Sequence, residues 1–216
     1  MRQALFSIVI ALAACSSQPA PAWQSAAHTQ LANYSESYLA GEEKLAGIHF
    51  DKALEHISKT GDPALVGRAW LTRCALETAA LIDVPCEQAK EYGGDPSNDS
   101  YRAMLEGAAV KPDALPEQYR DLMASLAKRS VKEVNDALAG IEEPVSRLIG
   151  VGVTLKRGTF DTATLELAVQ TASENGWKTP LTAYLLKLKA LYVAAGQSDR
   201  SAGIEERLKI LAADKK

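Results

Sequence analysis

Residues 63–82 read PALVGRAWLTRCALETAALI. On a helix, their apolar side chains cover most of the circumference, and Arg68, Arg73 and Glu77 form one narrow polar strip. The proline that opens the stretch suits the first position of a helix, where its missing N–H has no intrahelical partner. A helix that is apolar on nearly every side has to be covered by neighbours on several sides. This stretch therefore predicts a central helix.

The chain around this segment repeats its apolar residues at helical spacing, and alternating patterns are nearly absent. Leu31, Tyr34, Tyr38 and Leu45, for example, fit one face of a first helix. The same periodicity continues to the C-terminus, with short turns between the periodic segments. It predicts an all-α domain of about eleven helices over residues 25–216.

Short connections make successive helices antiparallel, so we expect stacked helical hairpins. Gly47, Phe50 and Ala53 are spaced as in the second helix of a tetratricopeptide repeat, which they resemble, and a looser version begins at Gly158. The resemblance implies a tetratricopeptide-like α-solenoid. The alternative is a generic helical domain with alanine-rich packing, since the 38 residues from Gly158 to Gly196 exceed the usual repeat of about 34.

The N-terminus has the pattern of an export signal. Arg2 is followed by an apolar run that is shorter than the roughly 20 residues of a membrane-spanning helix. The run ends in Leu12-Ala13-Ala14-Cys15, which resembles the lipobox of bacterial lipoproteins. The resemblance implies that residues 1–14 are a signal peptide and that Cys15 carries the lipid. The alternative is ordinary secretion with a free Cys15.

The residues after Cys15 are small, polar and rich in proline, so residues 15–24 are expected to be the lipidated cysteine and a flexible tether. In the lipoprotein family an aspartate after the cysteine favours retention in the inner membrane. Ser16 at that position implies transfer to the outer membrane, with the domain facing the periplasm.

The formal net charge of −3 argues against nucleic acid as a partner, because binding to phosphates requires a basic surface. It also argues against a polybasic membrane-binding face. The covalent lipid on Cys15 is the one attached group we expect. The expected partner is therefore an envelope protein or peptide segment.

Two further cysteines, Cys74 and Cys86, lie in the domain. In an oxidising periplasm such a pair is a candidate disulfide, provided that the turn between them brings the two Cα atoms within about 7 Å. The alternative is two buried thiols that act as small hydrophobic side chains.

The histidines and acidic residues of the sequence contain two candidate metal sites. His49 and His56 are seven residues apart on a helix, about 10 Å along its axis, which is too far for one ion. Asp95, Ser97, Asp99 and Glu106 match the ligand spacing of a calcium-binding EF-hand loop, although Ser100 stands where that loop needs glycine. The favoured interpretation is a turn in which Asn98 or Asp99 caps a helix that begins near Ser100.

No nucleophile motif, phosphate loop or paired-carboxylate pattern stands out, so no catalytic residues are predicted and the chain is expected not to be an enzyme. The leading hypothesis is a lipid-anchored scaffold or pilot protein that binds an envelope partner. The alternatives are a lipid-anchored cell-wall hydrolase and a module that binds calcium or another small ligand.

The anchor hypothesis predicts the behaviour of a Cys15→Ala variant. Because the thiol of Cys15 would carry the lipid, the variant should leave the membrane fraction and lose the acylated N-terminal mass. Cell fractionation with mass spectrometry measures both. An unchanged membrane fraction and an unchanged N-terminal mass would contradict the hypothesis.

Overall fold

The computed structural model describes residues 21–83 and 85–213 of the chain. These residues form eleven α-helices and two short 3-10 turns, and no β-strand. The helices are α1 (Ala22–Ala40), α2 (Glu43–Ser58), α3 (Pro63–Ala79), α4 (Glu87–Glu91), α5 (Pro96–Leu105), α6 (Arg120–Lys128), α7 (Val131–Gly140), α8 (Pro144–Lys156), α9 (Thr162–Glu174), α10 (Lys178–Ala194) and α11 (Ser198–Ala213). The 3-10 turns, Pro112–Ala114 and Glu117–Tyr119, precede α6. The all-α prediction is confirmed.

Two boundaries differ from the sequence prediction at the start of the domain. Helix α1 begins at Ala22, so the last three residues of the predicted tether are helical, because Pro21 is extended and the residues after it are compatible with a helix. Residues 15–20 and the predicted signal peptide lie outside the described residues. The first helix also ends before Leu45, because Gly41 adopts a φ of +90° and closes α1 with a left-handed cap.

Helix α3 is the predicted central helix. Asp62 caps its N-terminus, with Oδ1 accepting hydrogen bonds from the backbone N–H groups of Ala64 (2.8 Å) and Leu65 (3.4 Å). Its buried residues include Leu71, Cys74, Ala75, Leu76, Thr78 and Ala79. Helices α1, α2, α4, α5 and α8 all pack against it, which explains why polar residues are confined to one narrow strip.

Neighbouring helices pack as hairpins, among them α1 with α2, α6 with α7 and α10 with both α9 and α11. Helices that are distant in sequence also meet. The Thr179 hydroxyl at the start of α10 donates to the Tyr38 carbonyl of α1 (2.8 Å), and the Tyr184 hydroxyl of α10 donates to the Leu148 carbonyl of α8 (3.1 Å). In a simple solenoid each repeat contacts its immediate neighbours. The contacts of α10 with α1 and α8 join helices that are distant in sequence, so they stabilise the stack in addition to the neighbour contacts.

Helices α3 and α8 approach each other closely at Gly152. A Cβ atom added at Gly152 of α8 would overlap the carbonyl oxygen of Thr78 and lie 2.9 Å from the carbonyl carbon. Real Cβ contacts are longer, so glycine is required at this crossing. Both glycines of the Gly150-Val151-Gly152 segment therefore serve close helix packing.

This packing predicts that Gly152→Ala destabilises the protein. The methyl group would force α3 and α8 apart, and we expect the free energy of unfolding to fall by about 2 kcal/mol or more. Urea denaturation followed by circular dichroism measures the change. The matched control is Gly47→Ala in α2, where an added Cβ meets no atom within 4 Å and the higher helix propensity of alanine should stabilise by up to about 1 kcal/mol. A Gly152→Ala variant as stable as Gly47→Ala would contradict the proposed close approach.

Candidate functional site

The predicted attachment residue Cys15 lies outside the described residues, whereas the other two cysteines are both described. Cys74 and Cys86 are joined by a disulfide, with a Cα–Cα distance of 5.7 Å. The bond connects the buried side of α3 to the residue that precedes α4, and both cysteines are buried. Of the two alternatives drawn from the sequence, the structure therefore has the bridge.

The calcium-loop alternative is wrong. Pro96 opens helix α5, so Ser97 and Asp99 lie on a helix and cannot wrap around an ion. Asp95 Oδ1 accepts a hydrogen bond from the Asn98 N–H (2.8 Å), and Glu106 is paired with Arg102 (2.8 Å). The prediction of a capped helix start in this stretch is right, but the predicted cap at Asn98 or Asp99 is wrong, because the cap is Asp95 and the helix begins four residues before the predicted start.

The remaining metal candidates are also engaged elsewhere or isolated. His49 Nδ1 lies 2.8 Å from Gln30 Oε1, a contact that links α2 to α1. Within residues 21–83 and 85–213, no group of three or more His, Cys, Asp and Glu side chains is arranged to hold a metal ion.

The described part of the chain has a groove of about 540 Å³, which we call the α10 groove. It runs between the end of α3, the C-terminal half of α8 and the middle of α10. Its lining residues are Thr78, Leu81, Asp83, Gly152, Leu155, Lys156, Ala183, Leu186, Lys187 and Ala190. The side chains of Ala183 and Ala190 on α10 are small, so little fills the space beside them.

Helix α10 is apolar on two sides, and this creates the exposed wall of the groove. One side is buried against the core through Leu181, Tyr184, Leu185, Leu188 and Tyr192. The other side carries Ala183, Leu186, Ala190 and Val193 at spacings of three and four residues, which places them in one stripe. Leu186 is 54% exposed and Val193 is 60% exposed. Large apolar residues in an exposed stripe are typical of surfaces that bind a partner.

Leu81 extends the apolar lining from the opposite wall in an uncommon backbone conformation. Its φ of +57° is left-handed, a region that costs a residue with a Cβ atom roughly 1–2 kcal/mol. The N–H groups of Leu81 and Ile82 donate to the carbonyls of Thr78 (3.1 Å) and Glu77 (2.8 Å), so the turn ends α3 in the way that a glycine usually does. The chain thus holds a strained leucine at the groove.

Two lysines give the groove a basic edge. Lys156 Nζ donates to the Leu105 carbonyl (2.8 Å) and lies 3.7 Å from Asp83 Oδ1, a carboxylate whose side chain is 91% exposed. Lys187 is exposed and has no ion pair with the described part of the chain. Because Asp83 is the one acidic residue among the described lining residues, the groove favours an occupant that carries negative charge.

The described lining of the α10 groove has no cysteine, serine or histidine, and its single carboxylate has no second carboxylate beside it. The helical periodicity of the sequence predicts the buried seam of Leu181, Leu185, Leu188 and Tyr192, whereas the second apolar stripe was not predicted. The signal available in the sequence was the presence of apolar residues on both sides of α10.

Comparisons with known proteins found no matching family model, no matching curated protein and no matching solved structure. Among the described residues, no helix combines the length and apolar character needed to cross a membrane.

The disulfide predicts a measurable contribution to stability. Replacing Cys74 and Cys86 together with Ala should lower the free energy of unfolding by roughly 3 kcal/mol, because the closed loop restricts the unfolded chain. Urea denaturation under oxidising conditions measures this. As a control, reductant should lower the stability of the unmodified chain and leave the double variant unchanged. Two titratable thiols in unfolded, unreduced protein from the periplasm would rule the bridge out.

Proposed function

We propose that the chain is a lipid-anchored, non-catalytic adaptor of the bacterial envelope whose α10 groove binds a short helical segment of a partner protein. The observation that carries this proposal is the exposed apolar stripe of α10, which forms one wall of a groove between α3, α8 and α10. A helix that lays its apolar face into such a groove is a common mode of peptide recognition.

The partner segment is defined by the chemistry of the groove. Its apolar face would cover Leu186 and Val193, which removes their exposed surface from water at roughly 25 cal/mol per Å². Its flanking carboxylates would lie near Lys156 and Lys187. We therefore propose an amphipathic, acidic helix as the occupant.

In this proposal the lipid anchor and the tether determine where the helical domain is held. A lipidated Cys15 followed by a proline-rich segment would hold the helical domain at the periplasmic face of the outer membrane without inserting it. The resemblance of residues 47–53 to a tetratricopeptide repeat, a protein-binding module, supports the same class of function.

Site-specific photo-crosslinking in cells that naturally make the protein tests the occupant. A crosslinker at position 186 should capture one envelope protein, and the captured peptide should map to an amphipathic helix that carries carboxylates. The matched control is position 210 on α11, where Ile210 is also exposed (71%) but lies outside the groove. Capture of the same proteins from both positions would contradict the proposal, as would cleavage of peptidoglycan by the pure protein.

Binding measurements with the mapped segment as a synthetic peptide show how much each groove residue contributes to the affinity. Leu186→Glu should weaken binding at least about tenfold, equivalent to about 1.4 kcal/mol, because it places a charge in the apolar contact. Ile210→Glu should leave the affinity unchanged. Lys187→Glu should weaken binding at low salt and lose that effect at high salt, since the interaction with acidic residues is screened. Equal affinities for Leu186→Glu and Ile210→Glu would exclude the groove as the binding surface.

A further inference from the structure

A second cavity, of about 320 Å³, lies where the facing sides of α1, α2 and α3 meet the start of α10. We call it the tyrosine cavity. Its lining residues are Tyr34, Tyr38, Glu43, Ala46, Gly47, Phe50, Asp51, Arg73, Glu77, Ile82 and Thr179. This cavity combines aromatic rings, carboxylates and a buried hydroxyl.

Three aromatic rings form an angled wall. The ring centroids of Tyr34 and Tyr38 are 5.8 Å apart with an interplanar angle of 49°, and those of Tyr34 and Phe50 are 4.9 Å apart at 52°. Tyr34 is only 3% exposed, so the wall is fixed by packing. Aromatic faces attract cations through the ring quadrupole, most strongly where water is partly excluded.

The same aromatic cluster already holds one cation of the chain. The guanidinium carbon of Arg73 lies 5.7 Å from the ring centroids of both Phe50 and Trp70. Arg73 Nε also donates to Glu77 Oε1 (3.0 Å), so its charge is paired. Tyr34 is buried, but Tyr38 is partly exposed, and no cation–ring contact involves Tyr38 within the described chain, which leaves the ring of Tyr38 available to a ligand.

The charge of the cavity favours a cation. Glu43, Asp51 and Glu77 contribute three carboxylates, against the single guanidinium of Arg73. With Arg73 and Glu77 paired, the negative charges of the other two carboxylates remain at the rim. Burial, together with the negative charge of Glu77, raises the pKa of Tyr38, so its hydroxyl stays neutral at physiological pH.

The hydroxyl of Tyr38 is buried and has no hydrogen-bond partner among the described residues. A buried polar group without a partner loses its hydrogen bonds to water, and a ligand group that donates to it restores one of them. The backbone at this residue is held in place, because its carbonyl accepts the hydrogen bond from the Thr179 hydroxyl (2.8 Å). The site is therefore preorganised for a ligand that carries N–H groups.

We infer that the tyrosine cavity binds a single organic cation, a protonated alkylamine or a guanidinium group. The cationic head lies against the ring of Tyr38, donates to the Tyr38 hydroxyl, and faces the carboxylates of Glu43 and Asp51. Two sources share this chemistry, a lysine or arginine side chain of another protein and a free small amine. The inference does not depend on the occupant of the α10 groove.

Calorimetric titration of the purified full chain in detergent tests the inference with defined probes. Agmatine represents a free cation, and arginine blocked as its N-acetyl methylamide represents a side chain within a protein. Saturable binding of either probe is expected, and binding of agmatine alone assigns the site to a free amine. Citrulline blocked in the same way is the neutral isostere and should not bind.

Variants of the lining residues test whether the cation binds in the tyrosine cavity. Tyr38→Phe and Asp51→Asn should each weaken the binding by about fivefold or more, because each removes one contact to the cation. Loss of an unpartnered hydroxyl should not destabilise the fold, and thermal unfolding of Tyr38→Phe checks this. The matched control is Tyr192→Phe, whose hydroxyl donates to Glu166 (2.6 Å) outside the cavity and whose loss should leave the affinity unchanged. The inference is overturned if neither cation binds, if blocked citrulline binds equally well, or if Tyr38→Phe and Asp51→Asn bind like the unmodified chain.

Discussion

The contact on which the rest of the structure depends is the crossing of α3 and α8, where Gly152 lies against the Thr78 carbonyl. It brings the first three helices against the C-terminal half of the chain at a distance that no other residue would allow. With α8 this close, Lys156 reaches the Leu105 carbonyl and the end of α3 turns beside α10. The α10 groove forms at this junction, lined by the end of α3, by α8 and by α10.

The two cavities are neighbours on opposite sides of one turn. Leu81 and Asp83 line the α10 groove, whereas Ile82 between them lines the tyrosine cavity. The left-handed conformation of Leu81 produces this arrangement, since it reverses the chain directly after α3. The disulfide between Cys74 and Cys86 ties the segment after this turn back to α3, so the turn lies within a covalently closed loop.

Electrostatics distinguishes the two sites. The α10 groove has an exposed Lys187 and a nearly buried Lys156 against one exposed carboxylate, whereas the tyrosine cavity has three carboxylates against one paired guanidinium. The groove thus favours acidic occupants and the cavity favours cationic ones. A chain with a small net charge can present both surfaces because its charges are separated in space.

The sequence by itself determined the helical class, the central position of α3 and its start at Pro63, because these depend on local periodicity and on residues next to one another. It did not decide whether Cys74 and Cys86 form a disulfide, since that bond depends on the distance between two turns of the chain. It misplaced the cap at Asp95, because Pro96 starts the helix earlier than the apolar pattern indicates. Only the tertiary structure decided which apolar stripe of α10 is buried, that Tyr38 is left without a partner, and that α8 lies on α3. These features depend on contacts between residues far apart in the chain, which no local pattern encodes.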